Sequence, residues 1–198
     1  GLCNVVKVDS EEGVEIVTDE GTDKAIQETE EKLTQENVVL FEPAIYINNK
    51  LIRIDILEKK GDLLRLIEVK SKSFDSVEYA EKRLLKKKYF ELSEWQEYIE
   101  DVAFQKYVLK EKYPTYKVEA YLLLPDKSKT TKIEGLLDWF KLQKAEIIGK
   151  TRFRKTEVAF TGNAEMLRKD HVLELVNVDP YADTLINGIA SNSEKYIQ

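Results

Sequence analysis

One cysteine and one histidine in 198 residues close off several kinds of chemistry at once. Cys3 alone can form no intrachain disulfide and cannot build a cysteine zinc or iron-sulfur site within the chain, so a reducing cytoplasm is the natural compartment. With no histidine near it in sequence, Cys3 is not expected to act as a thiol nucleophile. His171 stands far along the chain without a metal-ligand cluster and reads as structural or exposed. No apolar run approaches membrane-spanning length, and no secretory signal is visible. Gly21-Thr22 is no phosphate loop, because the glycine-rich run and its lysine are missing. An excess of positive charge is lacking too. The net charge of -6 and pI near 5.1 argue against holding nucleic acid by bulk charge alone.

Leucine, isoleucine, valine and aromatics are plentiful, which marks a folded chain long enough for one substantial core. Gly1-Leu2-Cys3 opens without methionine, as in a fragment or processed form with flanking domains elsewhere. An acidic stretch over 9–20 leads to a helix over 24–33 that Thr22 or Asp23 can cap. Three strands follow, over 38–47, 51–57 and 63–70, with Asn48-Asn49 turning between the first two, and they read as an antiparallel meander. The charged segment 71–92, with Lys82, Arg83, Lys86, Lys87 and Lys88, reads as a solvated surface helix rather than a nucleic-acid-binding arm. A helix over 94–111 ends before Pro114, and 118–124 reads as a buried strand. Beyond 140 the pattern weakens to a strand over 153–160 and a terminal helix over 184–197. Residues 1–140 are thus expected to form the main domain and 141–198 a C-terminal extension that can pack on it.

The chemistry concentrates in Arg53-Ile54-Asp55-Ile56-Leu57, a turn at Lys60-Gly61-Asp62, and Leu66-Ile67-Glu68-Val69-Lys70. Ile52, Ile54 and Ile56 alternate with Arg53 and Asp55, while Ile67 and Val69 alternate with Glu68 and Lys70. A hairpin at Lys60-Gly61 sets Asp55 opposite Leu66 or Glu68, close enough for both carboxylates to share a divalent ion. Acids within so apolar a strand need a partner or a metal. The bland alternative is a cross-strand ion pair of Asp55 and Lys70 at the sheet margin.

The pattern of acid, spacer and Glu-X-Lys resembles the active site of the PD-(D/E)XK nuclease superfamily. The wider set also includes Asn37-Val38-Val39-Leu40-Phe41-Glu42-Pro43-Ala44, Ser71-Lys72-Ser73 and Asp101-Val102-Ala103-Phe104-Gln105. Together these runs resemble an uncharacterised bacterial family of RecB-like nuclease domains related to the CRISPR-associated RecB-like exonucleases, over about residues 21–124. The resemblance implies an α/β, restriction-endonuclease-like core: a central mixed sheet built in the order helix, three-strand meander, helix, strand, and flanked by helices. It also implies a metal-dependent deoxyribonuclease using Mg2+ or Mn2+ on DNA, with RNA left open. Asp55, Glu68 and the Val69 carbonyl are the expected metal ligands, and Lys70 orients the water or offsets charge on the phosphate. Glu42 and Gln105 match further site positions, and Asp101 joins Gln105 in positioning Lys70 or a phosphate.

Two departures bear on substrate handling. Ala25 stands where relatives carry a metal-binding histidine, with Glu28 the nearby acid that could substitute. Leu109 stands where they carry a tyrosine. The competing expectation is a nuclease-fold module that has lost turnover and binds DNA or a partner protein.

Overall fold

The computed structural model describes residues 13–16, 21–84, 89–90, 93–143, 157–170 and 172–196. Cys3, His171, the lysines at 86–88 and the front of the strand expected at 153–160 lie outside them. Helix α1 spans Thr22–Lys32. Its N-cap is Gly21 at φ 103, a conformation open to glycine, and neither Thr22 nor Asp23 makes a side-chain cap bond.

The three expected strands are five. β2 (Asn37–Phe41) stops at Glu42, whose φ is 57, and Pro43 follows with no N–H to extend a ladder. β3 (Ala44–Ile47) and β4 (Lys50–Arg53) then form a separate hairpin. Asn48 (φ 46) and Asn49 (φ 60) supply the two left-handed residues that a tight hairpin turn requires. The chain rejoins the main sheet as β5 (Ile56–Lys60) and turns through Gly61, at φ 54, into β6 (Leu63–Val69). Glu42 N–H donates to the Asp55 carbonyl at 3.0 Å and Ile54 N–H to the Pro43 carbonyl at 3.1 Å, so the excursion leaves and returns at one point. The expected meander is therefore β2, β5 and β6, paired antiparallel, with the β3–β4 hairpin inserted.

This insertion also breaks the expected isoleucine alternation. Ile52 and Ile54 enter the main core, whereas Ile56 packs with Phe41 and Ile67 on the opposite face of the sheet.

Helix α2 (Ser76–Leu84) covers only part of the charged segment 71–92 and itself buries no residue, but Phe74, Tyr89 and Phe90 of that segment enter the main core, so the segment is not solvated throughout. Helix α3 (Ser93–Lys112) then crosses over to β7 (Lys117–Pro125), which runs parallel to β6, as a crossover connection requires. A short hairpin of β8 (Phe140–Gln143) and β9 (Glu157–Phe160) and a short helix α4 (Ala164–Lys169) follow. β10 (Leu173–Asn177) pairs antiparallel with β7, and α5 (Asp179–Tyr196) packs on α3. With β1 (Gly13–Glu15) parallel to β2 at the other edge, the central sheet is mixed and six-stranded, ordered β1-β2-β5-β6-β7-β10. The protein is mixed α/β.

Alternation sorts β7 cleanly. Val118, Ala120, Leu122 and Leu124 face the main core, while Tyr121 and Leu123 join the smaller cluster behind the sheet. On β6 the same core-facing row reads Leu64, Leu66 and then Glu68. An aromatic group of Phe74, Tyr79, Tyr89, Phe90, Trp95 and Tyr181 links α2, α3 and α5 through ring contacts. No described helix is long and apolar enough to cross a membrane.

Candidate functional site

At one end of the sheet the core row on β6 runs out and polar residues take over. The antiparallel register pairs Ile56 with Ile67, which brings Asp55 level with Glu68 rather than Leu66. Asp55 accepts a hydrogen bond through Oδ2 from Val69 N–H at 2.8 Å. In an extended strand a residue's N–H and C=O point to the same side, so the Val69 carbonyl also faces the Asp55 edge. Glu42 ends β2 at this same end of the sheet, where the Arg53 guanidinium donates to its carbonyl at 2.7 Å.

Glu68 is 9 % exposed and has a partner for each oxygen. Lys70 Nζ donates to Oε1 and Gln105 Nε2 to Oε2, each at 3.0 Å. The Lys70 ammonium also donates to Asp101 Oδ2 at 3.1 Å and lies 5.4 Å from the centre of the Tyr98 ring. Lys70 thus pairs with Glu68 and Asp101, not with Asp55 as the bland alternative had it. Asp101 and Gln105 sit one turn apart on α3, which packs across β6 and β7, so a single helix face delivers both.

The electrostatics follow from burial. Desolvation and the neighbouring Asp55 push the Glu68 carboxyl above its ordinary range, and the bonds from Lys70 and Gln105 offset this only in part. Burial works against the Lys70 ammonium, yet Glu68 and Asp101 hold it above the usual lysine value. Gln105 Oε1 is buried with no hydrogen-bond partner among the described residues. Its amide cannot simply turn over, since Oε1 would then meet the Glu68 carboxylate.

The remaining expected positions lie apart. Ala25 is fully buried in the main core, and a histidine there would overpack it. Glu28 is partly buried on α1, and no hydrogen bond or ion pair joins it to Asp55 or Glu68. Leu109 is likewise fully buried. Among the described residues no three histidine, cysteine, aspartate or glutamate side chains form a group that could hold a metal. Asp55 and Glu68 are the acids that face each other across the strands, while Asp101 meets the cluster through Lys70. Sequence reasoning overlooked Lys72, which donates to Glu94 at 3.1 Å and lies 5.0 Å from the centre of the Trp95 ring. The alternation Glu68, Lys70, Lys72 carried that signal. Comparison of the chain with family models, curated proteins and solved structures finds no match.

Proposed function

We propose that the protein is a metal-dependent deoxyribonuclease of the PD-(D/E)XK, RecB-like kind. The observation that carries this reading is the convergence of Asp55, Glu68, Lys70 and Gln105 at one end of the sheet, from three separate stretches of chain. The order α1, the β2–β5–β6 meander, α3 and β7 is the order of a restriction-endonuclease-like core and supports the same reading.

The donor set fits Mg2+ or Mn2+: two hard carboxylates, a backbone carbonyl on the same edge, and a buried Glu68 whose charge lacks full compensation. When bound, such an ion polarises the phosphate and lowers the pKa of the attacking water. Asp55 and Glu68 would hold it, with the Val69 carbonyl as the backbone ligand. Lys70, released from Glu68, donates to the water or to the charge growing on the phosphate oxygens. Asp101 fixes the Lys70 ammonium from the other side. Gln105 holds Glu68 through Oε2 and adds no charge to an acidic site.

The observation favouring a binding module without turnover is the buried Ala25, which leaves α1 without a histidine ligand. Cleavage of plain single- and double-stranded DNA with manganese separates the two readings. Wild type should cleave, and Asp55→Asn and Glu68→Gln should abolish cleavage together with manganese binding in calorimetry while circular dichroism is unchanged. No cleavage by wild type, or unchanged ion affinity in both variants, removes the nuclease reading.

A further inference from the structure

The cluster continues beyond the acids. Glu68 at the end of β6 and Lys70 and Lys72 just beyond it all reach α3 through their side chains. Their partners lie progressively nearer the N-terminus of that helix: Gln105 for Glu68, Asp101 for Lys70, and Glu94 for Lys72. The segment carrying Lys72 is anchored at both ends, because Lys70 N–H donates to the Leu123 carbonyl and Phe74 N–H to the Pro125 carbonyl, and the two extra residues between these bonds bulge away from β7. Trp95, 2 % exposed, forms a rigid wall against the Lys72 ammonium.

The Lys72–Glu94 pair is open to solvent. The lysine side chain is 26 % exposed and the glutamate 56 %. An ion pair of that kind contributes little and exchanges readily. The two ammoniums lie against neighbouring rings of α3, Tyr98 and Trp95, whose centres are 6.1 Å apart, a step comparable to that between neighbouring phosphates of a stretched nucleic-acid strand. A second cation thus stands beside Lys70 on the same helix, held by a carboxylate that an incoming anion can displace.

We propose that Lys72 binds the substrate phosphate next to the one hydrolysed, and that Glu94 holds its ammonium in place until that phosphate takes over. This rests on the nuclease reading for the identity of the neighbouring phosphate. The substrate strand runs along the Glu68–Lys70–Lys72 row, and Glu94 acts as an internal competitor.

The test is anisotropy of a fluorescein-labelled oligodeoxythymidylate with the full chain in calcium, over a range of salt. Lys72→Ala should weaken binding by about tenfold at low salt and flatten the slope of log affinity against log salt by about 0.7 to 1. Glu94→Gln should tighten binding severalfold, and the gain should vanish once Lys72→Ala is added. Unchanged affinity and slope in Lys72→Ala overturn the proposal. So does weaker binding in Glu94→Gln, the mark of a pair that merely pins the segment to α3. Should Lys72→Ala fail to fold, Glu94→Gln decides alone, by tightening or not. Binding that responds as expected in a chain that never cleaves DNA with manganese would remove the nuclease reading and leave the phosphate site standing, whereas cleavage with Lys72-insensitive binding overturns only this inference.

Discussion

Glu68 occupies the position at which an apolar row, Leu64 and Leu66, becomes polar. A carboxylate 9 % exposed is costly unless each oxygen is bonded, which is why Lys70 and Gln105 both turn to it. Lys70 is the residue whose role separates chemistry from architecture. Lys70→Ala should lower turnover by roughly a hundredfold, as loss of a charge partner in the transition state does, with manganese affinity largely retained. Single-turnover cleavage beside calorimetry checks this, and equal rates in variant and wild type would exclude Lys70 from catalysis. Lys70→Arg should not restore the rate, because the guanidinium is planar and cannot reproduce a compact ammonium between Glu68 and Asp101.

Among the elements, the end of β7 is stapled to the start of α2 by one buried carboxylate. Asp126 Oδ1 accepts from Ser76 N–H at 3.1 Å, from Ser128 N–H at 3.0 Å and from the Ser128 hydroxyl at 2.7 Å. Burial would raise its pKa, but the bonds from Ser76 and Ser128 prevail and hold it at about 2. A depressed carboxyl gives its full stabilisation above the ordinary aspartate value and loses it as pH falls through the folded value. Asp126→Asn should therefore cost about 2 kcal/mol near neutrality, with the gap from wild type closing between about pH 4 and pH 2 in denaturant titrations. A gap that stays constant over that window would refute the account. Little of this staple was legible in advance. The sequence supplies a polar turn at 125–128, but not that its aspartate reaches Ser76, because that contact depends on which strand the chain lies beside. The site shows the same division. Local alternation placed Glu68 and Lys70 on one face and hairpin spacing brought Asp55 to them. The break at Glu42-Pro43, which moves β3 and β4 out of the sheet, lay hidden in what read as one continuous strand. Periodicity records which way side chains point, not which sheet a strand joins.

Across the whole molecule, a buried charge fastens α5 to α3. Lys106 is 2 % exposed, and its ammonium donates to Asp179 at 2.7 Å and Asp183 at 2.6 Å. Asp179 also accepts from Ala120 N–H on β7 at 2.8 Å, so one carboxylate joins two helices and a strand. The two sides of the pair are not equivalent. Asp179→Ala leaves the Ala120 N–H without its acceptor and the buried ammonium with Asp183 alone, and should cost about 2 kcal/mol, whereas Lys106→Met leaves partly exposed carboxylates that water can reach and should cost about 1 kcal/mol. Urea unfolding of both variants gives the order, and the reverse order would contradict it. The parallel pairing of β6 with β7 has a consequence in time. That pairing closes only after the whole α3 crossover is in place, and long-range parallel contacts of this sort form slowly. Until then Asp101 and Gln105 are remote from Glu68, and Lys70 lacks its second carboxylate. A chain still emerging during synthesis, with α3 undocked, would carry the acids and yet be harmless to nucleic acid around it. On the nuclease reading, manganese-dependent cleavage should return in refolding with the slowest phase and in none before it, so that completion of the fold acts as a safety catch.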